Sequence, residues 1–262
     1  MPRTRTYGLD VDTITFATRV KAGSGKTILT ENLKQINKFV IGVKKLGLWN
    51  SMVCWPMRSI HNAGTSSTVY SLGGLSGTNF NGTLNNQVAW DYNGLFWSVN
   101  NSFMEIANLK LSNVPCTLLV VDSSRPAGYN SGAFLGHAPG KSSYFPGGNF
   151  EYMGYSPQHQ QLNLGSSSYI SSRFKMVSMT IDSNTTAKGY YNKDFKSATN
   201  VNYNWDSYSV VNTLRYTYTT SVTTQTWNTP FLMHCNIDFL PYYFNFYNLY
   251  RATLGIGLNL PY

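Results

Sequence analysis

The chain has 262 residues, with 20 Lys+Arg against 11 Asp+Glu, a net charge of +9, and charged residues make up only 12% of it. Aromatic residues reach 15%, and that much ring surface needs burial, which excludes a largely disordered chain. No apolar run approaches the ~18 residues of a membrane span, and residues 1–8 carry no apolar stretch, so neither a span nor a secretory signal peptide is expected.

The charge sits mainly at the start. Residues 1–47 hold nine Lys/Arg against Asp10, Asp12 and Glu31, a net +6, which leaves +3 for the other 215 residues. The same segment has helical period. Asp12 is placed to cap a helix over Thr13 to Ala22 that stops at Gly23. Thr30 is placed to cap a second helix, in which Leu33, Ile36, Val40 and Val43 recur at three- and four-residue steps. Lys44 and Lys45 suit its negative end, and Gly47 takes the left-handed position beyond it. Leu29, just before the cap, is positioned to staple onto the first turns. The stripe Leu33, Ile36, Val40 and Val43 is expected to be buried against the rest of the chain or a neighbouring subunit, and is the candidate assembly surface. Lys34, Lys38 and Lys45 lie off it, on a solvated face or one that meets an acidic partner.

From Leu48 onward the pattern changes to short strands. Met52 to Trp55, Thr117 to Val121, Lys175 to Ile181 and Thr213 to Thr219 read as strands, the last with Leu214, Tyr216 and Tyr218 on one face. Gly73-Gly74, Asn81-Gly82, Asn93-Gly94, Pro146-Gly-Gly148 and Asp182-Ser-Asn184 read as turns between strands. Many short strands with almost no helical period indicate a β-sandwich, and their hydroxyl- and amide-rich composition suits a sheet with one wet face. Cys54, Cys116 and Cys235 are odd in number and widely spaced, which gives neither a disulfide framework nor a zinc pattern; buried free thiols are expected.

The segment Ala22-Gly-Ser-Gly-Lys-Thr27 imitates a phosphate-binding loop. The pattern requires glycine where Val20 stands, and a helix precedes it instead of a strand, so it reads as a turn between helices. His61, His137, His159 and His234 are scattered, and Gly64-Thr-Ser-Ser-Thr68 does not match the Gly-x-Ser-x-Gly nucleophile pattern. Glu31, Glu105 and Glu151 form no close carboxylate pair of the kind that glycoside hydrolysis uses. No catalytic residue and no cofactor is expected. The rings of Tyr129, Tyr144, Tyr155, Tyr203, Trp205 and Tyr208 occur in polar, Gly/Asn-rich surroundings, where aromatics either pack under long loops or present apolar area with a polar handle to a ligand. They are the candidate ligand-binding residues.

Several runs are similar to known sequences. Leu48-Trp-Asn-Ser-Met-Val-Cys-Trp-Pro-Met-Arg58, Phe80-Asn-Gly-Thr-Leu84 and Trp90-Asp-Tyr-Asn-Gly-Leu95 resemble the opening of laminin-G-like, concanavalin-A-like domains. The helical leader and the closing run from Phe246 to Leu258 resemble virion and tail-associated proteins of bacteriophages. The resemblance implies an all-β, concanavalin-A-like jelly-roll sandwich over residues 48–262, with a basic helical arm over residues 1–47. It implies a non-enzymatic virion structural protein, in capsid or tail, made in the host cytoplasm and partnered by other virion proteins. The alternative is a carbohydrate-binding lectin module that takes a host glycan. Calcium-binding members of that class use acidic loop ligands; this chain shows no such cluster, so no metal is expected. The +6 segment suits contact with nucleic acid. The low charge, with many Tyr and Asn, suits a homo-oligomer whose surface is partly interface.

Overall fold

The computed structural model describes residues 8–86, 88–97, 102–107, 109, 115–123, 131–137, 143–147, 150–155, 160–165, 174–183, 186–199, 213–220 and 227–261. The chain opens with two helices, α1 (Val11–Ser24) and α2 (Thr30–Lys45). Asp10, not Asp12, caps α1: its carboxylate accepts from the Asp12 N–H at 2.9 Å. The helix ends at Gly25, whose N–H donates to the Lys21 carbonyl. At the start of α2 the cap position is Leu29, which makes no side-chain cap bond and is 61% exposed, so it is not a staple. The end of α2 does follow the sequence: Gly47 has φ +74°, its N–H donates to the Lys44 carbonyl, and the Leu48 N–H donates to the Val43 carbonyl. These paired bonds satisfy carbonyls that a helix end otherwise orphans. Lys44 then reaches both Asp10 and Asp12 at 2.6 Å, tying the end of α2 to the start of α1.

Beyond the helices the molecule is built of antiparallel sheets. A six-stranded sheet runs β1 (Met52–Pro56), β17 (Phe231–Cys235), β7 (Cys116–Ser123), β12 (Phe174–Ser183), β13 (Thr186–Tyr191) and β14 (Asp194–Thr199). A five-stranded sheet runs β2 (Thr68–Val69), β3 (Gly82–Asn85), β6 (Phe103–Ala107), β15 (Thr213–Thr220) and β8 (Ser131–His137). Two three-stranded sheets follow among the described residues: β16 (Trp227–Thr229), β5 (Gly94–Trp97) and β4 (Ala89–Asp91); and β11 (Gln160–Gly165), β10 (Phe150–Tyr155) and β9 (Ser143–Gly147). Gly82 opens β3 instead of forming a turn with Asn81.

Side chains of the six-stranded sheet alternate between two cores. Val53, Trp55, Leu118, Val120, Val177 and Leu232 point one way and meet Val69, Leu95, Trp97, Met104 and Ile106. Met52, Cys54, Leu119, Val121, Met176, Phe231 and Met233 point the other way, onto the helices. Over its central strands the sheet therefore has no wet face: β1 and β17 are buried at every residue, while β14 at the far edge carries exposed residues such as Phe195. Strands covered on both faces read as continuous apolar runs without alternation.

The helical segment is part of this core and does not project from it. Ile36, Val40 and Val43 are fully buried with Phe16, Val20 and Phe39 against the sheet, and Leu33 is half-buried beside them. The three buried members of the stripe have no surface left for a second subunit. A third helix, α3 (Tyr243–Arg251), completes the layer, which the sequence reading missed. Its buried Tyr243, Phe246, Tyr247 and Tyr250 have helical spacing, and Phe246 meets Phe39 of α2 edge-on at 5.7 Å. All three cysteines are free and buried; burial raises the Cys54 thiol well above its ordinary value and pushes Cys116 and Cys235 up to about 12. Among the described residues no helix is long and apolar enough to cross a membrane.

Candidate functional site

The loop from β1 to β2 carries more buried polar chemistry than any run the sequence singles out. Asn62 is fully buried, and its amide uses both ends. Nδ2 donates to the carbonyls of Pro56 and Tyr70 at 2.8 Å, and Oδ1 accepts from the N–H groups of Ala63 and Tyr70. One side chain thus ties the start, middle and end of the loop together.

Arg58 is 1% exposed. Its Nε donates to the Tyr92 carbonyl at 2.9 Å, and its Nη1 donates to the carbonyls of Leu254 and Ile256 at 2.9 and 2.8 Å. The guanidinium also lies 4.8 Å from the centre of the Tyr92 ring, in the range of a cation–π contact. His61 is joined through Nε2 to Oε1 of Gln35 at 2.8 Å. Burial, then the nearby positive charges of Arg58 and Lys26, lowers its pKa to about 3, so the ring is neutral at pH 7. Because Oε1 can only accept, Nε2 carries the proton.

Lys26 donates from Nζ to the Ser59 carbonyl. It lies against Gly64, whose φ of +71° is the left-handed conformation that favours glycine, and an added Cβ there would press on the ammonium. The imitation of a phosphate loop is thus a strut: its lysine holds another loop. Arg19 is used alike, donating to the Ser71 carbonyl at 2.7 Å and to Oδ1 of Asn81 at 3.3 Å. With Lys44, three of the nine cations in residues 1–47 serve the fold.

Held this way, the loop forms one wall of a pocket of about 390 Å3, lined by Gly64, Thr65, Ser66, Ser67, Leu84, Asn85, Val88, Ala89 and Trp90. That volume lies in the range of small-molecule sites, about 300–1,000 Å3. The Trp90 indole is fixed by Nε1 donating to the Ser66 carbonyl at 2.7 Å. Ser66 Oγ accepts from the Thr68 N–H, and the Ser67 carbonyl accepts from the Leu84 N–H at 2.7 Å, locking the loop to β3. Leu84, Val88 and Trp90 are half-buried and rest on the inter-sheet core. The walls are therefore set by hydrogen bonds and packing before any ligand arrives.

None of the aromatic candidates is among these lining residues. Tyr144 falls in β9 and Tyr155 in β10; Tyr129, Tyr203, Trp205 and Tyr208 lie outside the described residues. Both halves of the pocket are present in the sequence as Gly64-Thr-Ser-Ser-Thr68 and the Trp90 hairpin. The signal that joins them, buried Asn62 and Arg58, has no sequence pattern. Among the described residues no three His, Cys, Asp or Glu side chains gather into a metal-sized group.

No protein-family model and no curated protein matches the chain. Solved structures do. The protein is similar to the binding domain of botulinum neurotoxin DC in complex with SialylT, at 10% identity and a TM-score of 0.55, over 76% of this chain and 51% of that one. It is similar to a botulinum neurotoxin type C structure that reports interaction with two ganglioside molecules, at 11% identity and a TM-score of 0.55, over 78% of this chain and 53% of that one. A third is the binding domain of botulinum neurotoxin DC in complex with rat synaptotagmin II, at 9% identity and a TM-score of 0.53, over 74% and 51%. The chain spans about half the length of these structures. At such identity the likeness shows the fold: an antiparallel β-sandwich, here with helices packed on one sheet.

Proposed function

We propose that the chain is a non-enzymatic carbohydrate-binding module whose ligand sits in the Trp90 pocket. One observation carries the reading: an indole immobilised on Ser66 shares a pre-formed cleft with three hydroxyl side chains and an amide. A sugar ring offers C–H groups to an aromatic face and hydroxyls to polar partners, and this lining supplies both. Among the described residues the lining includes no carboxylate, and glycoside hydrolysis uses a pair. Similarity to binding domains described with SialylT and with gangliosides supports the reading. The sandwich itself is read as a concanavalin-A-like jelly roll.

The setting carries over from the sequence as a proposal: a bacteriophage virion component, made in the host cytoplasm, homo-oligomeric and placed among other virion proteins, with its module turned to a host glycan. The exposed Lys21, Lys34, Lys38 and Lys45 remain for an acidic partner such as nucleic acid.

A glycan array with the wild type and Ala89→Trp tests the pocket. Ala89 lines it and is exposed, so a larger side chain fills the cleft without entering the core. Binding by the wild type, lost in Ala89→Trp at unchanged melting temperature, is the expected result. A glycan profile that survives the substitution places the ligand elsewhere, and a blank array overturns the reading.

A further inference from the structure

Resting on the carbohydrate reading of the same pocket, we infer that its ligand is a neutral N-acetylated hexosamine unit, not a plain hexose or an acidic sugar. The lining divides into two chemistries. Thr65, Ser66, Ser67 and Asn85 are polar, while Leu84, Val88 and Trp90 are apolar, half-buried and continuous with the inter-sheet core. The apolar face of one pyranose ring accounts for the indole. It does not account for Leu84 and Val88: set against the hydroxyls of a plain hexose, they would strip water from them and return no hydrogen bond. An acetamido methyl uses such a surface and, unlike the methyl of a 6-deoxyhexose, brings an N–H donor with it.

Asn85 supplies the matching polar contact. Its Nδ2 donates to the Thr83 carbonyl at 3.2 Å, which leaves the side-chain carbonyl oxygen as the acceptor an acetamido N–H requires. Charge argues against an acidic sugar. Among the described residues no lining side chain is charged, and the Lys26 ammonium, which lies against Gly64, is directed to the Ser59 carbonyl. A bound carboxylate would lose its water without gaining a charged partner from the lining side chains.

Titration calorimetry of the full chain against N-acetylglucosamine, N-acetylgalactosamine, glucose, galactose and N-acetylneuraminic acid tests this, with Val88→Ser as the variant. The expected result is binding of at least one N-acetylhexosamine about tenfold or more tighter than its parent hexose, the discrimination a methyl-sized apolar contact provides. Val88→Ser should remove most of that preference, bringing the affinities for N-acetylhexosamine and parent hexose close together. Equal affinity for hexose and N-acetylhexosamine overturns the inference while the carbohydrate reading stands. Tighter binding of N-acetylneuraminic acid than of either N-acetylhexosamine also overturns it. Failure of every sugar to bind, on the calorimeter and on the array alike, overturns the carbohydrate reading and the inference with it.

Discussion

Arg58 and Leu254, 196 positions apart in the chain, are joined by a hydrogen bond of 2.9 Å from Nη1 to a backbone carbonyl. Through it the loop that walls the pocket is fastened to the turn following α3, and the same guanidinium holds the β4–β5 hairpin at Tyr92. Backbone carbonyls and a tyrosine ring stand around this buried cation where a carboxylate would ordinarily be.

Replacing Arg58 should therefore be costly. Arg58→Leu leaves three carbonyl acceptors without this donor, and hydrogen bonds to charged groups are worth about 1.5–3 kcal/mol each. We expect a loss of about 3 kcal/mol or more in urea unfolding. Arg58→Lys should rescue little of it, because an ammonium cannot reproduce a planar fork that serves carbonyls on two segments. A lysine variant as stable as the wild type would contradict this account.

His61 makes the fold acid-sensitive. Its folded pKa of about 3 lies below the unfolded 6.5, because burial and the charges of Arg58 and Lys26 oppose protonation. The unfolded chain thus takes up the proton first as pH falls. Stability is complete above pH 6.5 and declines as pH drops from there toward 3. At about 1.4 kcal/mol per unit, the loss between pH 7.5 and 5 is about 2 kcal/mol. His61→Gln should flatten the curve in that window by this amount; parallel curves for the two proteins would remove His61 as the cause.

Val40 is fully buried between α2 and the sheet. Val40→Asp places a carboxylate in that core, at a cost of several kcal/mol. The variant should fail to fold or melt far lower, whatever the oligomeric state of the wild type. Circular dichroism of the purified variant reads this directly, and a native melting curve would be the contrary result.

Lys26→Ala removes the strut and no nucleotide site. We expect no micromolar ATP binding by either protein, with a loss of about 1–2 kcal/mol in the variant from the Ser59 carbonyl left without its charged donor. ATP binding by the wild type that disappears on substitution would restore the phosphate-loop reading.

Light scattering of the full chain at micromolar concentration tests the oligomer. A mass above the 29.4 kDa of one chain is expected. Because Ile36, Val40 and Val43 are spent on the chain's own core, such an oligomer must use other surface. A clean monomer would leave the binding module and remove the assembly proposal.

Much of the architecture is legible along the chain because its signals are local. The spacing of Ile36, Val40 and Val43, the left-handed glycine after α2, and the strands at Met52, Thr117 and Lys175 each depend on neighbours a few residues away. Even there, local reading placed the α1 cap two residues late, since Asp10 and Asp12 are equally good cap residues until Lys44 arrives from α2 to hold both. It also missed α3, whose buried face is built of tyrosine and phenylalanine, rings that suit loops and strands as well as helices. What tertiary structure alone decided is the use of these parts. The expected arm became the cover of the six-stranded sheet, because the central strands of that sheet are apolar on both faces and each must be shielded from water. The pocket exists only where residues 64–67 meet residues 84, 85 and 88–90, and the groups that bring them together are a buried asparagine and a buried arginine bonded to backbone carbonyls. A backbone carbonyl is the same in every residue, so no pattern of side chains announces which ones a distant guanidinium will find.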